Sequence, residues 1–184
     1  MTEPNQNTPT PWPYTALDPN EVAERAYRYL SDGGCMYAAV GSVVDTLAEQ
    51  HGPPHDSFPT AMMTYGRGGM GGYGSICGAV NGAAAVIGIY CPADRQGKLV
   101  RTLLRWFAET ELPIYSPAGT PEASDTEHET PASIGSSIDC HPSLAAWREA
   151  AGERVTAAQR KVRCARLTAD AAAKAVELLN AELT

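Results

Sequence analysis

The chain of 184 residues carries 14 Lys and Arg against 21 Asp and Glu, a net charge of −7, with 43% hydrophobic and 7% aromatic residues. That length fits one globular domain with a core of small and aliphatic side chains, and the acidic balance argues against nucleic acid or an anionic membrane as partner. No window approaches the roughly twenty apolar residues that span a bilayer, and "MTEPNQNTPTPWPY" has no export-leader pattern, so a cytoplasmic location is expected, or a periplasmic one after removal of a leader.

Residues 1–17 are polar, with prolines at 4, 9, 11 and 13, and read as an extended arm lying on the domain or on a partner. Residues 18–184 read as a single helical domain. Asp18-Pro19-Asn20-Glu21 has the form of a helix start, Val22, Ala26, Tyr29 and Leu30 recur at helical spacing, and Gly33-Gly34 stops the run. A second helix is expected over Cys35–Gln50, with Met36, Ala39, Val40, Val43, Val44 and Leu47 as its apolar stripe. A short third helix, Pro59–Tyr65, precedes the glycine run. Ser75–Ile89, apolar nearly all round, reads as a central buried helix whose first turn holds Cys77, with Gly78 and Gly82 admitting neighbours closely.

Cys91-Pro92 breaks that helix, and Asp94–Glu109 forms another with Leu99, Leu103 and Phe107 on its apolar face. Residues 113–138, with four prolines and few apolar residues, read as a long irregular surface loop. Two helices close the chain, roughly Pro142–Ala151 and Glu153–Leu183, the last with Val162, Leu167, Val176 and Leu179 on one side. No segment alternates at period two, so the fold class is all-α, a compact multi-helix domain with a glycine-rich loop.

The glycine loop, "GRGGMGGYGSICGAVNG" at 66–82, satisfies the dinucleotide-binding pattern twice. The mechanism behind that pattern needs a strand before the loop and a parallel βαβ unit around it, and neither is expected here. Two readings remain: a turn required by packing, or a backbone cleared so that N–H groups around Gly72, Gly74 and Gly78 approach an anionic sulfur-rich ligand held by Cys77. Tyr73 and Trp147 are expected to pack.

Five cysteines, at 35, 77, 91, 140 and 164, are odd in number and widely spaced, which disfavours a disulfide framework and the close Cys pairs of zinc ribbons and ferredoxins. Cys35, Cys77 and Cys140 fall at expected helix starts, where the positive end of the dipole favours a thiolate. Cys164 lies between Arg163 and Arg166, which could activate it. Buried structural thiols are the competing reading.

The stretches "WPYTALDPNEVAERAY", "GGCMYAAV", "FPTAMMTYGRGG", "CGAVNGAAA", "CH" at 140–141 and "RCARLTADAAAKAVELLN" together resemble the split-Soret cytochrome c proteins. These fall within the redox-active family of four cysteines with a Cys-Gly-Ala-x-x-Gly motif (C_GCAxxG_C_C). The resemblance implies a largely helical homodimer and an iron–sulfur cluster of the 2Fe–2S type, with Cys35, Cys77, Cys140 and Cys164 as metal-binding residues and Cys91 as an extra. His141 stands beside this set as a ligand or a hydrogen-bond donor. The chain departs from the cytochromes in lacking Cys-x-x-Cys-His, so covalent haem c is not expected, while non-covalent haem through His51, His55, His128 or His141 stays open. The expected function is electron transfer or redox sensing with a redox partner protein. The alternatives are a thiol-redox or four-cysteine zinc protein, or an assembly subunit of a larger redox complex.

Overall fold

Three helices that pack on one another form the centre of the molecule: α2 (Cys35–His51), α3 (Gly78–Tyr90) and α6 (Ala157–Leu183). The computed structural model describes residues 11–117, 130–152 and 155–184. Around the centre lie α1 (Pro19–Gly33), α4 (Ala93–Glu109) and α5 (Cys140–Ala151). The sheet among the described residues is one antiparallel pair, β1 (Glu111–Leu112) with β2 (Ser133–Ile134). None of the described helices is long and apolar enough to cross a membrane.

Close approach of α2 and α3 follows from their small residues. A Cβ at Gly82 would stand 2.8 Å from both the Ala39 Cβ and the Met36 carbonyl oxygen, so only glycine lets the backbones meet at this point. Val40, Val43, Val44 and Leu47 of α2 and Val80, Ala83, Val86 and Ile87 of α3 are then fully enclosed. Helix α6 completes the core with Leu167, Ala171, Ala172, Ala175, Val176 and Leu179, while Val162, expected on the same face, is only half-buried.

The start of α1 is built as its sequence suggests, the Asp18 carboxylate accepting from the Asn20 N–H at 2.8 Å. Residues 11–17 run across the ends of α3 and α6. The Trp12 N–H donates to the Ile89 carbonyl at 2.9 Å, and Asn180 accepts from the Tyr14 hydroxyl at 2.7 Å while donating to the Leu17 carbonyl at 2.9 Å. The remainder of the expected arm, residues 1–10, lies outside the described residues, as does 118–129 of the expected loop.

Several boundaries differ from expectation for identifiable reasons. The segment expected as a third helix winds as a 3-10 helix over Thr60–Gly66, a tighter coil common in short pieces. Helix α3 begins at Gly78, not Ser75, because residues 75–77 are extended in an antiparallel bridge between Ile76 and Asp139. Helix α5 begins at Cys140, two residues earlier than expected, because Pro142 is tolerated within a first turn that needs no N–H partner. A capping box of Thr156 and Gln159 sets the start of α6 at Ala157. Tyr73 does not pack: it is 85% exposed on the glycine loop, whereas Trp147 is buried.

The segment after β1 is tied down by α6. Asp170 accepts the Ile114 and Tyr115 backbone N–H groups, both at 2.8 Å. The Arg166 guanidinium donates to the Tyr115 carbonyl and to the Thr130 hydroxyl, and Tyr115 donates to the Glu24 carboxylate. Burial raises the Asp170 carboxyl from 3.8 to about 6, against the opposing pull of its two backbone donors and Arg166. A raised carboxyl contributes its stability below the unfolded value of 3.8 and loses it as pH rises through about 6. The unfolding free energy of the protein relative to Asp170→Asn is therefore expected to fall by roughly 2 kcal/mol between pH 4 and 7, read from urea unfolding; a difference that grows with pH would contradict this environment.

Candidate functional site

The glycine loop is a left-handed turn. Residues 68–72 all take positive φ, Gly68 66°, Gly69 72°, Met70 59°, Gly71 65° and Gly72 86°, a conformation that costs L-residues roughly 1–2 kcal/mol each. Three of its backbone donors are consumed internally: the Gly71 N–H reaches the Tyr65 carbonyl at 2.7 Å, Gly72 reaches Arg67 at 3.0 Å, and Gly74 reaches Gly69 at 3.0 Å. The loop delivers the chain to the bridge at Ile76. There the Cys77 N–H donates to Ile138 at 2.8 Å, Cys140 donates to Ser75 at 2.7 Å and His141 donates to Gly74 at 3.1 Å. Two distant segments are thereby zipped together with Cys77 as the N-cap of α3 and Cys140 as the first residue of α5.

Cys35 arrives from a third direction. Gly34, at φ 86°, turns the chain sharply between α1 and α2, and Cys35 is the first residue of α2. Cys164, about two turns inside α6, faces the same space. All four thiols line one cleft of about 910 Å³ that opens to solvent. Gly78 makes room for them, since a Cβ there would stand 2.8 Å from the Cys35 sulfur and 2.7 Å from the Gly66 carbonyl oxygen. Among the described residues no three Cys, His, Asp or Glu side chains are gathered tightly enough to hold a single metal ion. The thiols ring a shared space and do not converge on a point.

The charges around them are uneven. Cys77 and Cys140 interact directly, and this contact holds the Cys140 thiol below its ordinary value and the Cys77 thiol above its own. Burial reinforces the effect on Cys77, while the charges of His141, Arg163 and Arg160 reinforce it on Cys140. Burial also pushes Cys164 up, with Arg163 acting the other way. Cys91 lies in the core away from the cleft, raised by burial.

The family model described as "Putative redox-active protein (C_GCAxxG_C_C)" matches residues 37–178, a span that takes in Cys77, Cys140 and Cys164 and begins just after Cys35. The chain belongs to this family. It is similar to the split-Soret cytochrome c of Desulfovibrio desulfuricans (strain ATCC 27774 / DSM 6949 / MB), with 38% identity over 174 residues, 94% of this chain and 62% of that protein. It thus spans about three fifths of the relative's length. A solved structure reporting a novel iron centre in the split-Soret cytochrome c from Desulfovibrio desulfuricans ATCC 27774 superposes with a TM-score of 0.85 at 37% identity, covering 94% of this chain and 72% of that one.

For this member of the C_GCAxxG_C_C family, the four cysteines marked by sequence stand together, and His141 stands with them at the mouth of the cleft. The glycines serve differently from expectation. Gly72 and Gly74 spend their N–H groups within the loop, so neither is free to donate to a bound sulfur centre. Gly74 instead gives room to His141, whose ring atoms would lie 2.1–2.4 Å from a Cβ at that position. Arg166 is turned away from Cys164 toward Tyr115 and Thr130, leaving Arg163 as the arginine that faces the thiols. His51 and His55 lie outside the cleft lining, His55 buried with its Nδ1 3.2 Å from the Tyr90 hydroxyl, and His128 lies outside the described residues. Arg67, Arg160, Lys161 and Ala79 also line the site; no local pattern marks them, since only the fold brings the loop against α6.

Two neighbouring glycines separate strain from crowding. Gly69→Ala is expected to cost more than about 2 kcal/mol, because positive φ is compounded by contacts at 2.6 Å to the Ser75 oxygen and 2.8 Å to the Cys140 Cβ. Gly71→Ala meets nothing within 4 Å and is expected to cost about 1 kcal/mol. Urea unfolding, with alkylation rates of Cys140 in the same variants, checks the contrast; equal costs would show that the loop does not press on Cys140.

Proposed function

We propose that the protein is an electron-transfer or redox-sensing protein that holds an iron–sulfur cluster of the 2Fe–2S type through Cys35, Cys77, Cys140 and Cys164. The carrying observation is the convergence of these thiols, from four helix positions, on one cleft. The donor set suits the group: four sulfurs around an open space match a group with more than one iron better than a single tetrahedral ion. Gly78 supplies the clearance. Membership of the redox-active family and the iron centre reported for the similar cytochrome support the same reading.

In this reading the cluster, when bound, supplies one-electron transfer. The chain's own residues do the rest. The bridge between Ile76 and Asp139 orients Cys77 and Cys140, Gly34 aims Cys35, and Arg163 with Arg160 places positive charge beside the thiolates. The sequence offers no Cys-x-x-Cys-His for covalent haem attachment. The reading includes a redox partner protein and a homodimer, the latter checked by light scattering on the eluted protein.

A second reading has its own observation. The direct contact between Cys77 and Cys140, with Cys140 pulled toward the thiolate, suits a thiol–disulfide couple in which thiolate and thiol give a disulfide, two electrons and one proton to an oxidising partner. Anaerobic purification with iron and sulfide counts, visible absorption and EPR separates the two. A brown protein with iron and acid-labile sulfide is expected, Cys77→Ser abolishing the signal and Cys91→Ser leaving it. A colourless protein that cannot be reconstituted, yet forms a reversible Cys77–Cys140 disulfide, would replace the cluster by the couple.

A further inference from the structure

We propose that the cleft beside the cysteines also binds a small anion, an oxyanion or a carboxylate, seated on the guanidinium of Arg163. Arg163 is 3% exposed and lines the cleft from α6. Its Nη2 donates to the Ser143 hydroxyl at 2.6 Å and the Ser143 carbonyl at 3.2 Å, and the guanidinium lies 6.0 Å from the centre of the Trp147 ring. Its Nε is buried with no hydrogen-bond partner, and among the described residues no carboxylate is ion-paired with it. A guanidinium out of water is stabilised only when charge and donors are both matched. Neutral Ser143 and Trp147 match part of the donor set and none of the charge.

The surroundings have the same bias. Arg67, Arg160, Lys161 and His141 line the cleft with Asp32 as its one carboxylate, in a chain whose net charge is −7. Exposed Arg67, Arg160 and Lys161 place attraction for anions at the mouth of the cleft, whereas the rest of an acidic surface repels them. The space of about 910 Å³ lies within the usual range of small-molecule sites, roughly 300–1,000 Å³, and is open to solvent. The unpartnered Nε–H of this guanidinium offers a charge-assisted donor to one oxygen of an oxyanion or carboxylate. Among the described residues no carboxylate pairs with Arg163, and the sulfurs nearest its charge are those of Cys140 and Cys164, so protein with and without iron separates an added anion from the thiolates as its counter-charge.

Sulfate, inorganic phosphate and acetate titrated at constant ionic strength, against sodium chloride as control, test the proposal by calorimetry and by shifts in thermal unfolding. The titrations are run on iron-loaded and iron-free protein. At least one of these anions is expected to bind saturably in both forms, with Arg163→Gln weakening it about tenfold or more and Arg163→Lys falling between. Should Arg163→Gln fail to fold, the exposed pair Arg160→Gln with Lys161→Gln is expected to weaken binding while leaving helix content unchanged. No saturable binding beyond the chloride control would overturn the proposal, as would binding indifferent to all these substitutions. Binding lost on loading with iron and sulfide would also overturn it, since the metal group would then be the counter-charge of Arg163. Anion binding in a protein that takes up no iron would leave this inference standing and sink the cluster reading alone.

Discussion

A bridge one residue long on each side, Ile76 opposite Asp139, is the constraint on which the cysteine cleft depends. Its hydrogen bonds run from Cys77 to Ile138, from Cys140 to Ser75 and from His141 to Gly74, so three residues of the cleft are positioned through their own backbone donors. The bridge forces residues 75–77 to stay extended and thereby sets where α3 begins. The left-handed run at 68–72 brings the chain to that bridge. Its glycines serve conformation and close packing, and the Gly71 and Gly72 N–H groups are satisfied within the loop.

Electrostatics give the cleft a character that the whole chain lacks. A protein of net charge −7 gathers Arg67, Arg160, Lys161 and Arg163 around four thiols. Burial alone would keep thiols protonated, as it does for Cys91 in the core. Where arginines and a neighbouring thiol stand close, as at Cys140, the balance reverses. Thiolates are the metal ligands and the nucleophiles of sulfur chemistry, so this local reversal is what the redox reading and the thiol couple have in common.

Much of the fold was legible along the chain. The cap at Asp18, the stop at Gly33-Gly34 and the apolar stripe from Met36 to Leu47 are local signals, and the helices they mark are present. The errors share a cause. Ser75–Cys77 has nothing locally against a helix, yet it pairs with a segment far along the chain. Tyr73, expected to pack, stands 85% exposed on a turn whose backbone is dictated by glycine. Arg163 and Arg166 both lie within two residues of Cys164, and only the strap held by Asp170 and Arg166 draws one of them away.

Residue order by itself determined the helical class, the separation of Cys91 from the other four cysteines through family resemblance, and the absence of a covalent haem motif. The helical class and the missing haem motif depend on periodicity, capping and spacing, which are short-range properties of the chain, whereas the setting apart of Cys91 rests on the resemblance alone. Only the tertiary structure decided that Cys35, Cys77, Cys140 and Cys164 face one space, that residues 68–72 form a left-handed turn, and that Arg163 is buried beside Ser143 and Trp147 with no carboxylate paired to it among the described residues. The reason is physical: each outcome is set by contacts between segments with no local relation to one another, and such contacts exist only once the core has closed.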